Sequence, residues 1–166
     1  MSGRSGSPIP SRTMVDIVAA GTIDLGQVRQ LFEEYWASFG FSPCFQDFAT
    51  ELGRLPGAYA PPDGRLGLAV VEGEVAGCVA LRRLDDVRCE VKRLYVRPRH
   101  RGRGLGLQLL EWVIAEARRV GYGEMYGDTM PTMERALSLY FKRGFEHCDP
   151  YLAEPSPGAV CLRLRL

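Results

Sequence analysis

Arginine and glycine alternate in one short segment, and their spacing is typical of an anion site. The segment is YVRPRHRGRGLG, Tyr95 to Gly106, with four arginines, one histidine and three glycines. Glycine has no Cβ, so an anion can approach the backbone closely. Arginine can bind two phosphate oxygens at once. The segment therefore predicts a site for a phosphate group.

Two regular elements flank this segment and determine how it is presented. A strand, Arg88 to Val96, precedes it, and LGLQLLEWVIAEARRVG, beginning at Leu105, is an amphipathic helix that Gly121 ends. The three glycines thus lie at a helix N-terminus, where backbone N–H groups lack partners and the dipole is positive. This arrangement favours a phosphate held by main chain. Taken without its neighbours, the same segment could be a solvated turn that caps a helix.

Other anion-binding classes fit the sequence poorly. It contains no GxxxxGK[ST] and no GxGxxG, so ATP and dinucleotide sites are weak alternatives. A net charge of +1, from 21 basic and 20 acidic residues, lacks the basic excess of a nucleic-acid binder. An RNA-binding RGRG segment is also disfavoured, because these glycines open a helix rather than a disordered tail. We therefore predict no nucleic-acid partner.

Around this motif the sequence predicts one α+β domain, residues 13–166, after a disordered leader, residues 1–12. Its sheet is mixed, mostly antiparallel, with six to seven strands and about four helices. Hydrophobic periodicity places the first helix after Asp24, a plausible N-cap, and the last between Pro131 and Gly144. Strands are predicted at Met14–Ala20, Leu66–Glu72, Val75–Leu84, Arg88–Val96, Glu124–Met130, Phe145–Tyr151 and Ala159–Leu166, and a further helix within Phe45–Leu55.

Cysteine and hydropathy patterns indicate where the protein resides. Five cysteines form no CxxC pair, and the two histidines lie at no metal-ligand spacing from them, so we expect reduced thiols and no metal. No apolar run approaches the ~20 residues of a membrane span. The leader lacks the apolar core of a signal peptide. We predict a cytoplasmic protein without a membrane partner.

Two motifs resemble the GCN5-related N-acetyltransferase (GNAT) superfamily. Its acetyl-CoA motif reads [RQ]-x-x-G-x-[GA], and Arg101, Gly104 and Gly106 stand at those places. Downstream, ALSLYFKRGF (Ala136 to Phe145) is similar to the second motif of the family, A-x-x-L-Y-x-x-x-G-F. Together they cover roughly Val75 to Phe145, in the order and on the elements that the family uses.

The resemblance implies a GNAT-like fold and acetyl-CoA as cosubstrate, with no metal. In the family, the strand before the motif offers backbone groups to the pantetheine arm and acetyl carbonyl, and the loop takes the pyrophosphate. The implied cofactor-binding residues are Leu94, Tyr95, Val96, Arg101, Gly102, Arg103, Gly104, Leu105 and Gly106. Met133 departs from the pattern, because many members carry an asparagine there that bonds to pantetheine.

The resemblance also suggests two catalytic residues. Tyr140 stands at the motif tyrosine that protonates the CoA sulfur in many members, although a core tyrosine on an amphipathic helix is the structural alternative. Glu90 is the candidate base, because it is a carboxylate inside the strand that precedes the motif, where burial favours the neutral carboxyl. Its alternative is a strand glutamate paired with Lys92 or Arg93.

The implied function is an acetyl-CoA-dependent N-acetyltransferase, in which a primary amine attacks directly in a ternary complex. A noncatalytic acetyl-CoA-binding or sensing module is the alternative. The family builds its acceptor cleft from the first helices and late loops, here Trp36 to Tyr59 and Asp149 to Pro157, which are rich in aromatic residues. A small amine, an amino acid and a peptide amine all remain open as acceptor. A homodimer is common in the family.

Overall fold

A seven-stranded sheet organises the chain in the computed structural model, which describes residues 13–21, 24–40 and 48–166. The strands are β1 Val15–Ala19, β2 Arg65–Val71, β3 Glu74–Arg83, β4 Arg88–Val96, β5 Glu124–Thr129, β6 Glu146–His147 and β7 Val160–Arg165. Their spatial order is β1-β2-β3-β4-β5-β7-β6. Every neighbouring pair is antiparallel except β4 and β5. The predicted mixed, mostly antiparallel α+β fold is confirmed.

Helices cover both faces of this sheet. In the part of the chain that is described they are α1 Leu25–Ala37, α2 Phe48–Gly53, α3 Leu105–Val120 and α4 Glu134–Lys142. The sequence of α3 explains its position, because its apolar residues recur every three or four positions and are buried against the sheet. It ends at Gly121, whose φ of 105° suits glycine and whose N–H donates to Ala117 and Arg118 carbonyls.

Alternation along the strands separates the two largest core clusters of the described residues onto opposite faces of the sheet. On β3, Val79 and Leu81 pack in one cluster with α3 and Tyr140 of α4. Cys78 and Ala80 point to the opposite face and pack in a second cluster with α1, α2 and Tyr59. The period of two along the strand thus produces a three-layer arrangement, helices on both sides of one sheet.

A bulge in β4 opens the centre of the sheet. Between the pairs Cys78–Tyr95 and Ala80–Lys92, β4 has two residues where β3 has one, and Arg93 there has a left-handed φ of 58°. β4 and β5 pair only from Arg88–Glu124 to Glu90–Tyr126, whereas β5 continues beside β7 as far as Thr129. The two parallel strands therefore separate after Glu90. We call the space between their diverging ends the fork.

Several local predictions differ from the structure in detail. Asp24 does occupy the N-cap position of α1, but its carboxylate accepts a hydrogen bond from the Gly21 N–H, at 2.8 Å, rather than from a helix N–H. α4 begins at Glu134, because Pro131 and Thr132 form a turn before it. The predicted leader, residues 1–12, lies outside the described residues, as do Phe41, Cys44 and Phe45. No helix in the described ranges is long and apolar enough to cross a membrane.

Candidate active site

A groove of about 880 Å³ runs between the end of β4, the arginine–glycine loop and α4. It brings together eight of the nine residues that the sequence suggested for the cofactor, and Arg103 is the exception. The eight are Leu94, Tyr95, Val96, Arg101, Gly102, Gly104, Leu105 and Gly106. Segments far apart in sequence therefore meet in one long cleft whose size suits an extended ligand.

The loop that opens α3 has the geometry of an anion cradle. Gly102 and Gly104 have φ of 79° and 78°, a left-handed conformation that glycine adopts without a Cβ clash. A Cβ added to either would meet nothing within 4 Å, so no protein atom fills the space beside them. The first N–H groups of the 16-residue α3 have no intrahelical partner. These groups can together hold an anion such as a phosphate.

Arg101 ties this loop to the end of β4. Its Nε donates to the Val96 carbonyl at 2.9 Å, and its guanidinium lies 5.8 Å from the centroid of the Tyr95 ring. The remaining N–H donors of the guanidinium stay exposed at the rim of the groove. Arg101 thus both fixes the loop and adds positive charge beside it.

Tyr140 lies where the groove reaches the fork. A smaller cavity of about 30 Å³ is lined by Tyr140, Lys92 and Asp128, and it shares Tyr35 and Met133 with the groove. Tyr140 is 5% exposed and its ring packs edge-on against Phe145 at 5.0 Å. Burial, and secondarily the charges of Tyr35 and Asp128, raise the pKa of Tyr140. Its hydroxyl therefore stays protonated and can donate a proton or a hydrogen bond.

Met133 occupies the position at which the motif resemblance led us to expect an asparagine. It directly precedes α4, and its Sδ accepts a hydrogen bond from Thr129 Oγ1 at 3.1 Å. Because Met133 lines both the groove and the smaller cavity, it forms part of the wall between them. A thioether is a weak acceptor and no donor, so this wall is more apolar than an asparagine would make it.

Glu90 is fully buried at the last paired position of β4 and β5. Its Oε1 accepts a hydrogen bond from Arg82 Nε at 2.8 Å and lies 3.4 Å from Lys92 Nζ. Its Oε2 has no hydrogen-bond partner among the residues that the structure describes. Glu90 lines neither the groove nor the smaller cavity. The structure thus places Glu90 outside the cavity that Lys92 lines, on the face of the sheet that carries α1 and α2.

Sequence reasoning missed Asp128, a half-buried carboxylate on β5 that lines the smaller cavity. Burial raises the pKa of Asp128, with Glu90 acting in the same direction, whereas Lys92 and Arg93 oppose the shift. The alternation of β5 is a usable signal, because it sets Asp128 on the same face as Tyr126 and Glu124. What the sequence does not reveal is that the fork leaves this carboxylate beside Tyr140.

The aromatic residues expected around an acceptor serve different purposes. Trp36 stacks on Phe48 with ring centroids 4.6 Å apart, and both are buried with Tyr59 in the core under α1. Phe39 instead lines the groove. Tyr151, in the loop before β7, packs on Tyr126 at 4.9 Å. Most of the described aromatic residues between Trp36 and Tyr59 therefore pack in the core. The loop that contains Tyr151 lies near the Glu90 and Asp128 carboxylates instead.

Comparison with known proteins identifies the family. A profile of the acetyltransferase (GNAT) family matches residues 27–145. The chain belongs to this family. It is 38% identical over 145 residues to a protein of Schizosaccharomyces pombe named as an N-acetyltransferase, an alignment that covers 86% of this chain and 89% of that protein. The GNAT resemblance of the two sequence motifs is thus confirmed.

Solved structures of other acetyltransferases share the fold of this GNAT chain. An acetyltransferase of Streptococcus agalactiae superposes with a TM-score of 0.77 at 20% identity, covering 92% of this chain and 98% of that one. The acetyltransferase yncA of Salmonella typhimurium, solved with its cofactor acetyl-CoA, has a TM-score of 0.68 at 21% identity and covers 92% and 94%. At these identities the likeness demonstrates the common architecture.

Proposed function

We propose that this acetyltransferase moves the acetyl group of acetyl-CoA to a primary amine by direct attack in a ternary complex. The main support for the proposal is that the groove adjoins the cavity at the fork, since the two share lining residues. Tyr140 and the Asp128 carboxylate both line that cavity. The named N-acetyltransferase relative and the acetyl-CoA-bound yncA structure support the donor and the class of reaction. Acetyl-CoA supplies a thioester carbonyl that an amine can attack and a thiol that can leave.

The nine residues named from the sequence are proposed to bind this cosubstrate. Leu94, Tyr95 and Val96 line the groove on a strand whose other edge the fork leaves without a β5 partner, and their backbone groups are proposed to bind the pantetheine arm and the acetyl carbonyl. The loop from Arg101 to Gly106 holds the phosphates through N–H groups and guanidinium charge. Arg103 adds charge from outside the groove wall, since the phosphate attracts it over several ångströms.

Tyr140 is proposed as the acid that protonates the departing sulfur. Its buried, protonated hydroxyl lines the cavity at the end of the groove. Glu90 stays a candidate for the base, but the enclosure of its carboxylate by Arg82 and Lys92 means that a proton can reach it only through a bridging group. Proton transfer by positioned groups of this kind typically contributes about 10²- to 10⁴-fold in rate.

Direct attack is favoured over an acyl-cysteine route. None of the four cysteines in the described ranges lines the groove or the smaller cavity. Burial raises the pKa of Cys89 to about 12 and also raises the pKa of Cys78 and Cys161, which disfavours the nucleophilic thiolate. The acceptor is either a small-molecule amine or a peptide amine. Cytoplasmic location and a homodimer stay predictions from the sequence.

Thermal stability and acetyl transfer together test this function. Acetyl-CoA at ~100 times its dissociation constant should stabilise the fold by about 2.7 kcal/mol, whereas ATP and NAD should do far less. Thiol release in the presence of a panel of primary amines should then reveal an acceptor. Absence of any stabilisation by acetyl-CoA would remove the cosubstrate. Stabilisation without transfer to any amine would identify a noncatalytic acetyl-CoA-binding module instead.

A further inference from the structure

We infer that the Asp128 carboxylate is the group that contacts the acceptor amine and takes its proton, while Glu90, outside the cavity, and Lys92, on its wall, act as positioning residues. This inference rests on the proposed amine acetylation. It assigns the base to β5, a strand that contains neither of the two sequence motifs of the family. Its basis is the arrangement of groups around the fork.

Geometry places Asp128 and Tyr140 around the same small space. Both line the cavity of about 30 Å³, together with Tyr35 and Met133, which also line the groove. An acetyl group delivered along the groove therefore reaches a point with a hydroxyl and a carboxylate beside it. An acid and a base that serve one transfer need this proximity, because each must reach the reacting atoms directly or through one water.

The hydrogen bonding of Asp128 differs from that of its neighbours. Glu51 and Glu116, which are partly buried like Asp128, and Glu90, which is fully buried, each accept a hydrogen bond from an arginine. Among the described residues, no donor lies within hydrogen-bonding distance of the Asp128 carboxylate, although Lys92 and Arg93 lie near enough to influence its charge. Partial burial of a carboxylate without a partner costs free energy. A ligand ammonium or amine N–H would supply the missing donor.

The charges around Asp128 act on its pKa in opposite directions. Burial and the neighbouring Glu90 raise the pKa of Asp128, while three cations on β3 and β4 counteract them. The titratable and charged groups that face it from the elements packed around it are Arg82, Glu90, Lys92, Arg93, Tyr35, Tyr140, Tyr151 and Cys161. A base with a raised pKa accepts a proton more readily than an ordinary carboxylate does.

Glu90 and Lys92 position this base. The Lys92 ammonium lies 3.4 Å from Glu90 Oε1, so Glu90 balances part of the charge that would otherwise act on Asp128. Glu90 is itself fixed by Arg82 at 2.8 Å. Glu90 thus sets the charge balance around Asp128 from outside the cavity, through Lys92 on the cavity wall.

Each bond that forms in the transfer is matched by a bond that breaks. The nitrogen lone pair forms the N–C bond, the C–S bond breaks with its electrons going to sulfur, and the amine proton passes to an Asp128 oxygen. Tyr140 gives its hydroxyl proton to sulfur. Solvent returns the proton from Asp128 to the Tyr140 oxygen, which restores both groups. The nitrogen becomes far more acidic as it bonds to carbon, so a carboxylate is a sufficient base.

The decisive experiment compares pH profiles of kcat/KM for wild type, Asp128→Asn and Glu90→Gln, with Asp86→Asn as a control in the exposed β3–β4 turn. Asp128→Asn should lower kcat/KM by a factor on the order of 10² to 10⁴. It should also abolish the acidic limb of the profile, which is the fall in kcat/KM at low pH that protonation of Asp128 causes. Glu90→Gln should keep the limb but move it to lower pH, because loss of the Glu90 charge and release of Lys92 both lower the pKa of Asp128. Asp86→Asn should match wild type.

Stability provides a readout that needs no turnover. Because the folded state raises the pKa of Asp128, ionisation of Asp128 destabilises the fold at neutral pH. Asp128→Asn should therefore melt higher than wild type at pH 7, and the gain should shrink as the pH falls toward the ordinary aspartate pKa of about 3.9. Glu90→Gln should melt lower, because Arg82 and Lys92 lose their buried partner.

The outcomes separate this inference from the proposed function. Wild-type activity with an unchanged acidic limb in Asp128→Asn would overturn the assignment of the base and leave amine acetylation standing. Abolition of the limb in Glu90→Gln, with only a shift in Asp128→Asn, would assign the base to Glu90. If wild type transfers acetyl to no amine, the proposed function fails and the base assignment fails with it.

Discussion

Arg93 and Glu51 form a two-point ion pair that ties α2 to the bulge of β4. Arg93 Nε lies 3.0 Å from Glu51 Oε2, and Arg93 Nη2 lies 3.1 Å from Glu51 Oε1. The same guanidinium lies 5.3 Å from the Trp36 ring centroid and 5.5 Å from that of Phe48. The left-handed residue that opens the fork is therefore held by side chains of α1 and α2, on the face of the sheet that these helices cover.

Replacing this arginine with an apolar residue of similar length tests how much the pair contributes. Arg93→Met should lower the free energy of unfolding by about 3 kcal/mol, because Glu51 would remain mostly buried without its cation. Urea denaturation followed by circular dichroism measures the change. Arg29→Met is the matched control, since exposed Arg29 also connects α1 to α2 through the Leu52 carbonyl. A loss in Arg93→Met no larger than the loss in Arg29→Met would show that packing alone holds the bulge.

Gly67 of β2 is required for the packing of Trp112 on the sheet. A Cβ at Gly67 would lie 2.5 Å from Trp112 Cζ3 and 2.7 Å from Cε3. Gly67→Ala should therefore destabilise the fold by about 1–3 kcal/mol through overpacking, as measured by the melting temperature. Gly53→Ala is the control, because a Cβ there meets nothing within 4 Å. Equal stability of the two variants would mean that Trp112 moves aside freely.

The sequence predicts the groove better than the fork, and the reason is the range of the interactions. The loop from Arg101 to Gly106 and the helix α3 follow from neighbours along the chain: glycine, the preceding strand and a period of 3.6. Gly121 likewise ends α3 where expected. These features need no distant partner, so local reasoning suffices for them.

The parts that sequence reasoning missed depend on contacts between distant segments. Asp128 gains its position because β4 bulges at Arg93, and that bulge is stabilised by Glu51, more than 40 residues away. Asp24 is a different case, because its carboxylate accepts a hydrogen bond from the nearby Gly21 N–H rather than from its helix, and propensity does not resolve this choice between two local partners. Neither outcome is encoded in a short pattern.

Gly104 allows a direct test of the anion cradle. Its φ of 78° is costly for a β-branched residue, about 1–2 kcal/mol, and a valine side chain would project into the open space of the groove. Gly104→Val should therefore weaken CoA binding, measured by calorimetry, by more than the modest loss in folding stability suggests.

A glycine at the other end of the same helix provides the control. Gly121 also has a left-handed φ, 105°, and open space around an added Cβ, but it lies at the C-terminus of α3, outside the groove. Gly121→Val should cost similar stability and leave CoA affinity unchanged. Equal CoA affinity in both variants would show that the glycines of the loop serve only to cap α3.

Tyr140→Phe isolates the hydroxyl that we propose as the acid. The ring contact with Phe145 and the burial of the site are kept, so acetyl-CoA affinity should change little. Turnover should fall by a factor on the order of 10² to 10⁴, because the leaving sulfur loses its proton donor. The pKa of Tyr140 is raised by burial, so the hydroxyl is protonated throughout the range from about pH 6 to 9 and the loss should be the same factor at every pH.

Tyr122→Phe provides the comparison for that experiment. The Tyr122 hydroxyl donates to the Asp63 carbonyl at 2.8 Å, away from both cavities, so its removal should cost stability without changing turnover. A constant loss across pH in Tyr140→Phe, beside a pH-dependent loss in Asp128→Asn, would separate the acid from the base. Full turnover in Tyr140→Phe would assign this tyrosine to packing and make solvent the proton source, since the phenyl ring keeps every other contact.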